Sequence, residues 1–199
     1  MGNTPDNEQP AADTAPTPTP TPTGTATAPV AGTGMATGKL TVDFTPVDVP
    51  GNYSPRNVLA VFVTDSNNKL IKTLFATGGG PRVIHLKRWQ QLSNRTIDGF
   101  TGATRNTVAA TGLLTWDMKD RTGAPVPNGN YKIWFETATS NVTAINPATA
   151  NEALAGTLNI DAAPGYKALI LPVVVGPAGS MKQETTNPSF TKISIIHAP

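Results

Sequence analysis

The sequence predicts an all-β sandwich, and three observations carry that prediction. Apolar residues recur with a period of two beyond the N-terminal stretch, as in KLTVDFTPVDV, where Leu40, Val42 and Phe44 share one face. Strand-like runs are separated by turn-forming clusters of Gly, Pro, Asn and Asp, such as DSNN and RTGAPVPNGN. Nowhere does a long stretch show the 3.6-residue period of an amphipathic helix. Short strands joined by tight turns bury their apolar faces most readily as two packed antiparallel sheets.

Residues 1–38 are almost all Pro, Thr, Ala and Gly. Such a segment buries too little apolar area to offset its ordering entropy, so it reads as a disordered tether with a Thr-Pro repeat near polyproline II. Residues 39–199 then read as a single β-sandwich domain, long enough for one sizeable core. Strands are expected at 39–49, at 57–65, where NVLAVFVTD is continuously apolar as a central strand would be, and at 69–77 across the Asp65–Asn68 turn. Residues 82–92, RVIHLKRWQQL, fit neither period cleanly and read as a strand or a short helix. Residues 93–112 hold few large apolar side chains and read as the longest loop, a length usual for functional loops. YKIWFETAT at 131–139 alternates as a half-buried strand does, and later strands are expected at 155–160, 166–175 and 190–197.

A net charge of +2, with scattered basic residues, excludes a nucleic-acid footprint. No apolar run approaches the roughly 18 residues of a membrane-spanning helix. Without cysteine there are neither disulfides nor thiolate metal sites. His85 and His197 are too far apart in the chain to read as a zinc pair, and no P-loop, dinucleotide fingerprint or nucleophile elbow is present. A surface Ca²⁺ on Asp117 and Asp120 is the remaining metal candidate.

Two stretches carry resemblances. WDMKDRTGAPVPNGNYKIWFE, residues 116–136, resembles the turn-and-strand signature of immunoglobulin-like domains in flagellar hook-capping and other bacterial surface proteins, which implies an immunoglobulin-like sandwich. Locally, Asp117 and Asp120 are placed to cap the turn amides, Gly123 and Gly129 to take positive φ, and Tyr131 to open the next strand. Inside the long loop lies Asp98-Gly99-Phe100-Thr101-Gly102-Ala103-Thr104, followed by Arg105. The string D-G-x-T-G-A-T resembles the acceptor motif at which bacterial flavin transferases attach FMN. The wider pattern resembles an uncharacterised periplasmic bacterial domain family whose members carry that motif.

The second resemblance implies FMN bound covalently through a phosphoester on Thr104, donated from FAD by a magnesium-dependent flavin transferase. It implies an extracytosolic electron carrier rather than an enzyme turning over a small substrate, with a membrane redox protein as partner. The residue types suit the reaction. A threonine hydroxyl is a weak nucleophile that needs the transferase's base and metal, and Gly102 and Ala103 leave the backbone before it thin enough to be gripped. Asp98 either orients the acceptor segment or approaches the transferase's magnesium. Thr101 and Arg105 flank the site, with Arg82, Lys87, Arg88 and Arg95 as further cations for a phosphate. Trp89, Phe100 and Trp116 are candidates for stacking on the flavin or for the core. MGNTPDNEQP looks like a mature bacterial lipoprotein with Met in place of the lipid-bearing Cys, so an N-terminal lipid anchor at the periplasm or cell surface is the expected link to the membrane. The alternative is a non-redox immunoglobulin-like structural or adhesive module on a Thr/Pro stalk, without cofactor.

Overall fold

The computed structural model describes residues 33–47, 50–54, 58–77, 80–94, 96, 98, 100–102, 112–143, 158–163, 165–176, 181–187 and 190–198. The Thr/Pro segment up to residue 32 lies outside them. Among the described residues ten strands, β1 (Lys39–Pro46), β2 (Val58–Asp65), β3 (Leu70–Thr77), β4 (Phe100–Gly102), β5 (Gly112–Trp116), β6 (Gly129–Ala138), β7 (Leu158–Ala163), β8 (Tyr166–Val175), β9 (Met181–Asn187) and β10 (Phe190–Ala198), form two sheets. One runs β5-β1-β10-β9 and the other β4-β3-β2-β6-β8-β7. Between β3 and β4 come a 3-10 helix, Gly80–His85, and α1, Lys87–Ser93. The predicted all-β sandwich is the fold. Its sheet pairings are antiparallel except β3 with β4, which is parallel.

The main core lies between the sheets. Leu40, Val42 and Phe44 of β1 meet Leu59, Val61 and Val63 of β2, Ile133 and Phe135 of β6, and Leu169 and Leu171 of β8. Phe44, Phe135 and Phe190 pack edge to face with centroids 5.4 to 6.2 Å apart, a geometry that adds about 1 kcal/mol per pair beyond area burial.

A second core sits on the other face of the six-stranded sheet. There α1 and the 3-10 helix cover Val58, Ala60 and Phe62 of β2, Trp134 and Ala138 of β6, and Tyr166, Ala168 and Ile170 of β8, with Leu86 and Trp89 pressed down from the helical layer. The molecule therefore has three layers where the sequence predicts two. Coverage on both faces explains the continuously apolar β2. It also corrects the half-buried reading of β6, because Lys132, Trp134 and Glu136 are buried too. Residues 82–92 are helical, not a strand, and the long loop contains β4. Strand β9 was not foreseen. MKQETTN has no apolar alternation, since β9 is a polar edge strand whose place is set by pairing with β10.

The 116–136 signature builds its turn largely as its residues dictate. Asp120 Oδ1 accepts from the Thr122 amide at 2.8 Å, the Thr122 hydroxyl at 2.7 Å and the Ala124 amide at 3.0 Å. The Thr122 hydroxyl and these amides hold its carboxyl below the usual carboxylate range. Asp117 caps nothing and faces Lys72 and Lys119 at 3.7 and 4.0 Å. The Tyr131 hydroxyl donates to the Pro127 carbonyl at 2.6 Å, four residues upstream, as the corner tyrosine of immunoglobulin-like sandwiches does. The chain docks before β1: Ala36 is buried, and its amide donates to Val126 O at 2.8 Å.

Two glycines separate backbone strain from crowding. Gly123 has φ +87° with open space where a Cβ would stand. Gly165 has φ +78°, and a Cβ there would meet Ser140 Oγ at 1.9 Å, Cβ at 3.1 Å and N at 3.2 Å. Gly123→Ala is expected to cost about 1 kcal/mol, the strain alone. Gly165→Ala adds overpacking and is expected to cost about 2–4 kcal/mol. Urea midpoints of both variants check this; equal losses would contradict it.

Candidate functional site

Strand β6 supplies the anchor. The first turn of α1 exposes amide donors with no intrahelical partner, and the N-cap residue Leu86 has no acceptor in its side chain. Glu136, fully buried on the helical face of β6, fills that role from outside: Arg88 N donates to Oε1 at 2.8 Å and Trp89 N to Oε2 at 2.7 Å. The Tyr166 hydroxyl from β8 also bonds this carboxyl. Burial pushes the Glu136 carboxyl up to about 7, against the opposing pull of the two amides, the tyrosine and the Arg88 charge. Burial and the adjacent Glu136 raise the Tyr166 phenol, so it stays protonated and donates. The Arg88 guanidinium lies 5.6 Å from the centre of the Trp134 ring and donates to Gln91 Oε1 at 3.1 Å.

A hydrogen-bonded path leads from this anchor to the D-G-x-T-G-A-T motif. Trp89 Nε1 donates to Thr73 Oγ1 at 3.0 Å, and Thr73 N donates to Asp98 Oδ1 at 3.1 Å. Strand β4 pairs with β3 as Phe75↔Phe100, Ala76↔Thr101 and Thr77↔Gly102. Thr73 and Asp98 occupy the same offset two residues earlier. The Asp98 side chain thus covers a β3 amide just ahead of the ladder. Its other oxygen, Oδ2, is shielded from solvent and has no hydrogen-bond partner among the described residues.

The structure places the sequence-predicted residues unevenly. Asp98 packs against β3, and Thr101 and Gly102 form the end of β4. Ala103, Thr104 and Arg105 lie outside the described residues, as does Arg95. In connectivity, 103–111 joins β4, the edge of the six-stranded sheet, to β5, the edge of the four-stranded sheet.

Of the two open readings of Trp89 and Trp116, the core is the one observed. Both are fully buried, and each indole N–H is satisfied internally, Trp116 by the Lys119 carbonyl at 2.8 Å, so neither offers a face to a flavin. Nor is Arg88 a phosphate ligand: it is buried against Trp134. Arg82 lies over the Tyr53 ring at 5.5 Å. His85 Nδ1 accepts from Val142 N at 3.0 Å, and His197 Nε2 lies 3.2 Å from Thr37 O. Among the described residues no group of three or more His, Asp and Glu is arranged to hold a metal, and in the Asp117/Asp120 turn Asp117 faces Lys72 and Lys119 while Asp120 Oδ1 accepts from the turn's own donors.

Sequence reading missed Thr73, Glu136 and Tyr166. One signal was present for Glu136, an acid amid the aromatic residues of YKIWFETAT, but the alternation assigned it to solvent. No local pattern marks Thr73, whose role depends on where Trp89 and Asp98 arrive.

Glu136 makes stability depend on pH. Its folded carboxyl, near 7, lies above the ordinary value of 4.5, so the folded state binds the proton more tightly. The sign follows: this contribution is fully present below about pH 4.5 and is lost as pH rises through about 7. A displacement of this size corresponds to about 3 kcal/mol. The chain is expected to lose stability between pH 5 and pH 8, and Glu136→Gln to be less stable at pH 5 but nearly flat across that window. Urea unfolding at both pH values tests this; a parental slope retained in Glu136→Gln would refute it.

No curated protein and no solved structure matches the chain. The sequence pattern of the family described as "Predicted periplasmic protein (DUF2271)" matches residues 38–145, from the start of β1 through the end of β6. This span takes in the central strands β2 and β6, the helical layer, the Asp98–Thr104 motif and Glu136, but not β8 or β10. The description sets the protein's working place outside the cytosol, and the match over more than half of its length means that the chain belongs to the DUF2271 family of periplasmic proteins.

Proposed function

We propose that this chain is an extracytosolic electron carrier with FMN attached through a phosphoester on Thr104. A magnesium-dependent flavin transferase delivers the group: Thr104 Oγ bonds the FMN phosphorus of FAD, the pyrophosphate bond breaks, AMP leaves, and the hydroxyl proton passes to a base of the transferase. The bound flavin supplies reversible electron transfer, here with a membrane redox protein. An N-terminal lipid anchor would hold the Thr/Pro tether at the membrane.

One observation carries this reading. The middle of the motif, Phe100–Gly102, is a short edge strand at the limit of a sheet, and Thr104 follows two residues after Gly102 in the chain. A peripheral strand suits a segment that must enter another enzyme's cleft. The chemistry of the motif fits as well: a hydroxyl acceptor follows two small residues. Since Trp89 and Trp116 are spent on the core, the covalent link supplies retention that a stacking pocket would otherwise provide. In a compartment open to dilution, a tether keeps the cofactor local whatever the affinity of its surroundings.

Co-expression with a flavin transferase is expected to raise the intact mass by one FMN less one water and to give a yellow protein. Thr104→Ala is expected to abolish the gain. An unchanged mass beside an active transferase would overturn the reading and leave a structural surface module in its place.

A further inference from the structure

We infer that Asp98 is a positioning residue acting through β3, and not a ligand of the transferase's magnesium. The inference rests on the reading of Thr104 as acceptor and decides what the acid of the motif does. A carboxylate that shares a metal with another enzyme must present an oxygen outward. Here Oδ1 is engaged by Thr73 N at 3.1 Å and Oδ2 is shielded from solvent, so both oxygens face the protein. Reaching an external metal would require breaking the bond to β3 and uncovering a main-chain donor, an exchange with a desolvation cost on both sides.

The location explains what is positioned. Thr73 and Asp98 share the offset that relates Phe75 to Phe100 and Thr77 to Gly102, so the side-chain bond extends the parallel register two residues before the strand begins. A three-residue parallel strand on an edge has little pairing of its own to fix its register. The neighbouring partner of Asp98 is itself held: Thr73 Oγ1 accepts from Trp89 Nε1, and Trp89 N donates to Glu136. Asp98 therefore ties the entry of the motif to Glu136, a fully buried polar group facing the second core. Its carboxylate sets where the chain leaves the sheet for Thr104.

The full chain, a flavin transferase, FAD and Mg²⁺ provide the test, with attachment followed by intact mass. Asp98→Asn keeps an acceptor for Thr73 N and is expected to be modified within roughly twofold of the parent. Asp98→Ala is expected to raise the KM for the carrier roughly tenfold, with a smaller change in kcat. Half-saturating Mg²⁺ should be the same for all three. Amide hydrogen exchange, which needs no transferase, should show Thr73 N protected in the parent and in Asp98→Asn but exchanging faster in Asp98→Ala. A raised Mg²⁺ requirement in Asp98→Asn would overturn the inference. So would parental attachment by Asp98→Ala, or slowed attachment with Thr73 N still protected. A parent that gains no mass removes the proposed function itself, whereas a modified parent with any of those outcomes removes only the role of Asp98.

Discussion

The helical layer and the motif beside it depend on one buried carboxyl. Glu136 projects from β6 into an apolar layer, where an ionisable group is costly unless its lone pairs are met. The start of α1 has the complementary need, amide donors without acceptors and an N-cap residue unable to supply one. Each satisfies the other at 2.7 and 2.8 Å, and Tyr166 completes the set. A helix of seven residues has little stability alone, so its position is set by this cap and by the packing of Leu86 and Trp89.

From that point the geometry runs outward in short steps. Trp89 is oriented by its main-chain bond to Glu136, and its indole fixes Thr73. The Thr73 amide then donates to Asp98, two residues ahead of β4. The order is from the most buried group to an edge of the sheet, and from rigid to peripheral. On the proposed reading, such an arrangement ties the entry of the acceptor motif to the core.

Burial on both faces of the six-stranded sheet is the second organising feature. It gives β2, β6 and β8 apolar contacts toward β1 and β10 on one side and toward the helical layer on the other. Several polar groups on the helical face are therefore given partners. Lys132 Nζ donates to Ser66 O and Asn68 Oδ1, which ties the β2–β3 turn to β6, and Trp134 Nε1 donates to Thr64 Oγ1. Burial lowers the Lys132 amine, as expected for a cation drawn into this layer.

The sequence by itself determined the all-β class, the core face of β1, the continuously apolar central strand β2, the strand at 166–175, the Asp65 and Asp120 turns and the motif from Asp98 to Thr104. Each follows from local chemistry: a two-residue period, side chains that cap their own amides, small residues in a row. Tertiary structure alone decided that β6 is central, that residues 82–92 are helical, that β9 pairs at an edge, and that Trp89 and Trp116 belong to the core. It also decided which groups Glu136, Thr73 and Asp98 meet. Their partners lie 16 to 48 residues away, so no window of sequence contains both ends of any of these bonds. A hydrogen bond between distant residues exists only once packing has brought donor and acceptor within about 3 Å, and nothing in either residue's own neighbourhood records that meeting.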